Sequence, residues 1–150
     1  MKRKSRKFDE ATRFLNVDLD VVGPQDLTSL VRALGSKVFD LHTGPAGAGY
    51  QTHLELATQP KSAEAAIKSF VKLLSALPSP ASRLWKGATR RDFNIGIQGG
   101  TMPRMFEVAL QPETLRGMER LGTVMTIYPV TTKPLHKRRP SPRRVSISRH

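Results

Sequence analysis

The chain of 150 residues has no cysteine, one tryptophan, and only 12 acidic residues against 25 Lys and Arg. The absence of cysteine excludes disulfide bonds, cysteine–zinc sites and a cysteine nucleophile, and it agrees with a reducing, cytoplasmic location. No apolar run approaches the roughly 18 residues that a membrane-spanning helix needs. The basic start of the chain lacks the apolar stretch of a secretory signal. We therefore expect a cytoplasmic protein without a membrane span, and no motif implies a cofactor.

Positive charge is abundant, and it is concentrated at the two ends. The formal net charge is +13. Five Lys and Arg and no acid lie in the N-terminal basic segment, residues 1–7. Seven Lys and Arg and no acid lie in the C-terminal basic segment, residues 131–150. Residues 8–130 are left with a net charge of only +1, so a nearly neutral body separates two basic ends.

The C-terminal basic segment mixes Lys and Arg with Pro and Ser, a composition typical of disorder. We predict a disordered N-terminal arm over 1–11, one folded domain over 12–130 and a disordered tail over 131–150. Such ends gain nonspecific affinity for polyanions by releasing counterions, and they lack the aromatic residues that stack on bases. The candidate polyanion-binding residues are the cations of both ends: Lys2, Arg3, Lys4, Lys137, Arg138, Arg139, Arg143 and Arg144.

Alternating apolar and polar residues predict the strands of the body. The first strand has Val17, Leu19 and Val21 on one side and acids on the other. The runs VFDLHT and YQTHLELAT, on either side of GPAGAG, are typical of a hairpin, and we expect Phe39 and Leu41 on its apolar face. Three further strands are predicted where the alternation returns, at DFNIGI, MFEVAL and VMTIYPV.

Apolar stripes at helical spacing predict three helices and a short fourth, ASRLWKGA. Gly23 and Pro24 precede the first helix. Ser62 can cap the second helix. The last helix opens at Pro112 and ends at Gly122, and its inward residues are expected to be Leu115, Met118 and Leu121. Without the short helix, the element order is β-α-β-β-α-β-β-α-β, which predicts an α+β fold with a mainly antiparallel sheet and helices packed on one face.

The stretch from Phe106 to Val130, FEVALQPETLRGMERLGTVMTIYPV, resembles the C-terminal half of a family of small bacterial α+β proteins designated a domain of unknown function. The likeness rests on a strand, a helix that Pro112 opens and Leu-Gly ends, and a last strand with Ile-Tyr. A long amphipathic helix ending near LLSALP is similar too, and the resemblance covers about residues 14–130. It implies the fold and a bacterial source, and no catalytic residue.

The polar side of the predicted sheet is the first candidate site. With helices on the other side, it collects six of the twelve acids, namely Asp18, Asp20, Asp40, Glu55, Asp92 and Glu107. Such a face suits docking of a basic protein partner. Two alternatives stay open: the face binds the protein's own basic ends, or it is a solvated face that keeps the sheet soluble. The residues chosen as partner-binding are Asp18, Asp20, Asp40, His42, His53 and Glu55.

Two histidines give the hairpin a second interpretation. We expect Asp40 opposite His53 and His42 opposite Gln51, with Glu55 on the same face. Two imidazoles and two carboxylates on adjacent strands could bind a divalent metal through His42 and His53, or act as an acid–base pair in which Asp40 orients His53. The same residue types are also ordinary on the solvent side of an antiparallel sheet.

Three functions therefore stay open. The leading prediction is a non-enzymatic protein that binds an unknown macromolecular partner, for example an immunity-like inhibitor of a basic toxin. The first alternative is a nucleic-acid-associated protein that binds polyanions through its basic ends. The second alternative is a metal-dependent or histidine-based hydrolase on the first hairpin.

Overall fold

The computed structural model describes residues 11–100, 103 and 105–131. The elements in chain order are β1 (Arg13–Gly23), α1 (Thr28–Leu34), a 3-10 turn (Gly35–Lys37), β2 (Val38–Ala46), β3 (Gly49–Leu56), α2 (Ala63–Ser75), α3 (Ala81–Gly87), β4 (Arg90–Gly99), α4 (Pro112–Leu121) and β5 (Val124–Thr131). Within these ranges, no helix is long and apolar enough to cross a membrane. The disorder predicted for both ends concerns residues outside the described ones, except that Ala11 forms a backbone bridge and Thr131 ends β5.

The strands form one sheet of five in the order β2-β3-β1-β4-β5. Three neighbouring pairs are antiparallel and only β4 and β5 are parallel, so the α+β class and the mainly antiparallel sheet are confirmed. The central strand is β1, which pairs with β3 on one side and β4 on the other. The parallel pair is possible because α4 carries the chain back between β4 and β5.

The sixth strand predicted at MFEVAL does not form. Residues 105–110 have neither helix nor strand pairing. Phe106, Val108 and Leu110 nevertheless alternate as half-buried residues with exposed neighbours, and the last two pack against the core. A two-residue period reports an extended chain with one side buried, and it does not show whether that chain has a hydrogen-bonded neighbour.

The core lies between the helices and one face of the sheet. Strand residues that point toward the helices are almost fully buried: Val17, Leu19, Val21, Leu54, Phe93 and Ile95. From α2, the stripe expected from the sequence is buried against them at Ala66, Ile67, Phe70 and Leu74. The rings of Phe70 and Phe93 lie 5.6 Å apart between centroids, so the longest helix is anchored directly on β4.

The ends of the helices follow the expected signals. The hydroxyl of Ser62 accepts a hydrogen bond from the Ala65 amide at 3.1 Å and caps α2. Gly122 ends α4 in the left-handed conformation, with φ of 65°. The inward side of α4 differs from the expectation, because Leu115 is 48% exposed and Gly117 is buried instead. A Cβ on Gly117 would lie 2.6 Å from Cγ1 of Val71, so the glycine permits close packing of α4 on α2.

Arg91 joins the C-terminal ends of α3 and α4. Its Nε donates to the Gly122 carbonyl at 3.0 Å, and one terminal nitrogen donates to the carbonyls of Trp85 at 2.8 Å and Ala88 at 2.9 Å. Trp85 is buried and donates its indole N–H to the Leu121 carbonyl at 3.1 Å. One guanidinium therefore donates to carbonyls at the C-terminal ends of both helices.

Candidate functional site

Four carboxylates lie together on the side of the sheet that the described helices leave uncovered. Asp18 and Asp20 alternate with the buried residues of β1, so they point away from the core. Asp18 lies opposite Glu55 of β3, and Asp20 lies opposite Asp92 of β4. We call this group, with His53 and Asn94, the acidic sheet face. Its central position follows from the place of β1 in the middle of the sheet.

Asp20 is held by hydrogen bonds from both neighbouring strands. Its Oδ1 contacts Nδ1 of His53 on β3, and its Oδ2 accepts from the side-chain amide of Asn94 on β4. These contacts fix the carboxylate and the imidazole relative to each other. They also orient His53 through one ring nitrogen, as carboxylates do for histidines in acid–base sites.

Asp18 is the carboxylate of the acidic sheet face whose negative charge is least compensated by its neighbours. The pKa of its carboxyl is raised from 3.8 to about 6 by burial, and further by the charges of Glu55 and Asp20, while His53 lowers it. Its Oδ1 accepts a hydrogen bond from the side chain of Asn16 at 3.1 Å. The crowding of three carboxylates is therefore only partly compensated within the face.

Tyr128 borders the same group of charges. It lies opposite Gly96, where a Cβ would come within 3.1 Å of the tyrosine hydroxyl oxygen and 2.5 Å of Oδ1 of Asn16. Burial raises the pKa of Tyr128, and the charges of Asp18, Asp20 and Glu55 raise it further. The glycine leaves space for the tyrosine ring beside the carboxylates.

Asp92 differs from the other carboxylates because it is fully paired. Its side chain is buried and accepts from Arg90 at 2.5 Å and from the Thr126 hydroxyl at 2.9 and 3.1 Å. Arg90 itself is exposed at the rim of the face. This cluster ties β4 to β5, and we assign it a structural role.

The first hairpin has a different register from the one expected. A bulge between Asp40 and His42 places His42 opposite His53, whereas Asp40 lies opposite Leu54. Asp40 is therefore on the helix side of the edge strand, where its carboxylate accepts from Thr43 Oγ1 at 2.7 Å. The expectation that Asp40 orients His53 is wrong, and Asp20 takes that position from the other neighbouring strand.

The bulge also reverses the expected burial of the edge strand. Phe39 and Leu41, expected on the apolar face, are 56% and 55% exposed. Phe39 lies opposite Glu55, so it borders the acidic sheet face. Glu107, counted among the acids of the sheet, lies in the segment that forms no strand. Of the six expected acids, four share the uncovered face, and His42 and His53 join them at one side.

The two histidines lie near each other on the hairpin surface. Their ring centroids are 6.1 Å apart. Throughout the ranges that the structure describes, no group of three or more His, Asp or Glu side chains could hold a metal ion. The pair His42 and His53 is thus a feature of the hairpin surface.

The Asp20–His53 pair has the orientation of an acid–base dyad, but it stands on an open surface. A cavity of about 610 Å³ lies elsewhere, between α1, α2 and the end of β3, and its lining includes Leu34, Leu56 and Leu77. Small-molecule sites are usually concave and enclose their ligand. The geometry of the face, shallow and borne by strands, suits contact with another macromolecule better.

Sequence reasoning missed Asn94, Tyr128 and Thr126 as members of the site. Asn94 could have been found from its place in the alternation of DFNIGI, since it shares its side of β4 with Asp92. Tyr128 and Thr126 could not, because only the parallel pairing of β5 with β4 brings them to this face. The candidate cations of the two ends, from Lys2 to Lys4 and from Lys137 to Arg144, lie outside the described residues.

Comparisons of the chain with protein-family models, curated proteins and solved structures give no match.

Proposed function

We propose that the protein is a non-enzymatic binding protein that docks a cationic protein surface on its acidic sheet face. An immunity-like inhibitor that covers a basic toxin is one concrete form. The observation that supports this most strongly is the group of Asp18, Asp20 and Glu55 on an uncovered sheet, with only partial compensation of its charge.

The charges of the face favour a cation from outside. Arg90 is engaged by Asp92, and His53 is engaged by Asp20. Asp18 and Glu55, on adjacent strands, repel each other. A lysine or arginine of a partner placed between these two carboxylates would relieve the repulsion. Complementary charge would therefore both attract the partner and fix its position on the face.

The form of the face supports protein docking as well. Five strands about 4.8 Å apart and about eight residues long offer a surface of roughly 600 Å², close to the ~800 Å² that each partner buries in a standard interface. Exposed Phe39 and half-buried Tyr128 flank the carboxylates. Aromatic residues beside a charged centre are typical anchors of interfaces. Hydrogen bonds between strands hold the polar groups in place and lower the cost of ordering them.

The test compares two double variants of the full chain. Asp18→Asn with Glu55→Gln removes two charges from the face. Glu113→Gln with Glu119→Gln removes two exposed charges from α4 and serves as the matched control. Each protein is immobilised and exposed to nuclease-treated lysate of the source cells, so that nucleic acid bound to the basic ends does not bridge to other proteins. Bound proteins are identified by mass spectrometry.

We expect a basic protein that is retained by the wild type and the control and lost from the face variant. Calorimetry with that protein should show a Kd about 10- to 100-fold weaker for the face variant, the usual effect of removing charges at an interface centre. Equal capture by both double variants would refute docking on this face.

A further inference from the structure

The outer side of β5 is one of the two edges of the sheet. The strand order places β5 last, where it pairs with β4 alone. In the part of the chain that the structure describes, no segment pairs with its other side. Such an edge presents a row of backbone N–H and C=O groups to any further strand, and stable monomers usually carry features that block this pairing.

The opposite edge, formed by β2, has three features of this kind. A bulge interrupts its register between Asp40 and His42. The charged side chain of Asp40 lies on the helix side of the strand, in the way of any strand packed beside it. Pro45 removes one backbone N–H near the end of the strand. Because bulges, charges and prolines prevent edge-to-edge association, we expect no further strand at β2.

β5 lacks most of these features. Its eight residues, VMTIYPVT, include no charged side chain, and its register with β4 has no shift. Pro129 cannot donate a backbone hydrogen bond, so a further strand is expected to pair with residues 124–128. These residues form a regular, uncharged edge.

Apolar side chains are exposed on both sides of this edge. Among the described elements, β5 carries more exposed large hydrophobic residues than any other: Val124, Met125, Ile127 and Val130. Met125 and Ile127 lie opposite buried residues of β4, so they point to the helix side. Val124 and Val130 point to the other side. A strand added here would remove apolar area from water on both sides of the sheet.

Helix α4 adds one more apolar side chain beside the edge. α4 packs on α2 and leads directly into β5. Gly117 of α4 faces Val71 of α2, and Leu115 lies about 160° around the helix from Gly117, so it points away from α2. We call the apolar residues of this region the edge patch: Leu115, Val124, Met125, Ile127 and Val130.

The residues on either side of Thr126 match each other in an antiparallel direction. One residue away on each side lie Met125 and Ile127, and two residues away lie Val124 and Tyr128. An identical strand running the opposite way would therefore place apolar or aromatic side chains opposite each other at every position around Thr126. No like charges would meet, because the strand has none. The edge is complementary to itself.

We propose that the edge of β5 is a dimer interface, at which β5 pairs antiparallel with β5 of a second copy of the chain. The pair is centred on Thr126 and places Met125 opposite Ile127 of the partner subunit. Its two-fold axis stands perpendicular to the sheet, so the two copies form one sheet of ten strands with all helices on one side. Because the edge at β2 is blocked, association stops at two copies.

The area of the edge fits a reversible dimer. Eight residues of strand are roughly 26 Å long, and one strand layer with one helix layer is about 20 Å deep, which gives roughly 500 Å² per copy. This is less than the ~800 Å² of a standard interface, so a Kd on the order of 10 μM is expected. Each copy carries a net charge of +13, so screening by salt should strengthen the dimer.

The first test measures sedimentation of the nuclease-treated full chain between about 1 and 300 μM, in about 0.1 M and 0.5 M NaCl. Ile127→Lys places a charge in the centre of the edge patch. Leu41→Lys on β2 is the matched control, because Ile127 and Leu41 are 50% and 55% exposed on edge strands and both substitutions add one positive charge.

The wild type should dimerise in a concentration-dependent way, and more tightly at the higher salt. Leu41→Lys should keep the wild-type Kd within about 3-fold. Ile127→Lys should weaken the dimer at least about 30-fold, because the same charge on both copies is brought into the apolar seam. The Asp18→Asn, Glu55→Gln variant should dimerise as the wild type does in 0.5 M NaCl.

The second test uses the absence of cysteine from the chain, since a single introduced thiol then reports contact between copies. Residues directly opposite in an antiparallel pair have Cα atoms about 4.5–5.5 Å apart, within the range of a disulfide. Thr126→Cys should therefore form an oxidised dimer at least about 10-fold faster than the control Leu41→Cys. This comparison holds even if Ile127→Lys does not fold.

Other results would overturn the proposal. A monomer over the whole concentration range would leave the edge to a segment of the same chain or to a different protein. Equal weakening by both Lys variants, or equal cross-linking of both Cys variants, would place the contact away from β5. Weaker association at the higher salt would indicate contact between the basic ends and the acidic sheet face. Species larger than a dimer would show that the edge at β2 is open. Docking on the acidic sheet face is tested separately by its own variants.

Discussion

The two faces of the sheet are made by alternate residues of the same strands and have opposite properties. On β1, Val17 and Leu19 are at most 2% exposed and pack under the helices. Their neighbours Asp18 and Asp20 point to the uncovered side and make polar contacts across strands. One strand therefore builds the core and the candidate site at once.

The difference shows where stability and binding reside. The helix side removes apolar area from water, the dominant favourable term in folding. The uncovered side holds Asp18 at a raised pKa through burial and like charge, which is unfavourable for the folded state at neutral pH. Groups kept in unfavourable surroundings tend to mark functional sites. Residues that are neighbours in sequence and lie on opposite faces should therefore respond differently to substitution.

The largest difference in the cost of substitution, measured as free energy of unfolding, is expected between Phe93 and Asn94. Phe93→Ala should lower the free energy of unfolding by about 3–5 kcal/mol, because it leaves a cavity beside Phe70 in the core. Asn94→Ala removes one hydrogen bond to Asp20 and should cost about 1 kcal/mol. Urea unfolding of both variants measures the two losses in free energy of unfolding. Similar costs for the two substitutions would contradict the division of roles between the faces.

Arg90 and Arg91 form the second pair. Arg91→Lys keeps the charge but cannot contact the helix ends of α3 and α4 together, so we expect a loss of about 1–2 kcal/mol. Arg90→Lys, exposed at the rim, should cost less, because Asp92 keeps the Thr126 hydroxyl. Thermal unfolding of both variants tests the order. A larger loss for Arg90→Lys would show that the rim cation, and not the helix junction, supports β4.

The division into two faces was predictable because successive residues of a strand point to opposite sides of the sheet. The alternation of Val17, Asp18 and Leu19 determines which side chains share a side, whatever the partners of β1 turn out to be. The helix stripe of α2 and the cap at Ser62 are local in the same way. These features were confirmed, and so were the positions of Asp18, Asp20, His53 and Glu55 on one face.

The contacts between strands were not predictable to the same degree. The bulge near Leu41 inserts one residue in β2 and so moves Asp40 to the opposite side. Nothing in the run VFDLHT marks it. The pairing of β5 with β4 depends on the chain path after Gly99, so the approach of Tyr128 to Asp18 has no local signal. Local pattern determines which residues share a side, and tertiary packing determines which of them meet.

The smallest expected effect on stability concerns Asp18. The sign of this effect distinguishes Asp18 from an ordinary salt-bridged acid. The folded state raises its pKa from 3.8 to about 6, so its contribution to stability is fully present below pH 3.8 and is lost as the pH rises through 6. Asp18→Asn should therefore stabilise the protein at pH 7.5 by about 1 kcal/mol, a value reduced from the full shift to allow for solvent screening. The gain should vanish toward pH 4, as measured by urea unfolding across this range.

Asp26→Asn is the matched control, because hydrogen bonds from Thr28 lower the pKa of Asp26 and the variant should lose stability at neutral pH. A loss for Asp18→Asn that stayed constant with pH would show that the acidic sheet face holds its charge without cost to the fold, which would remove the main physical reason for assigning it a cationic partner.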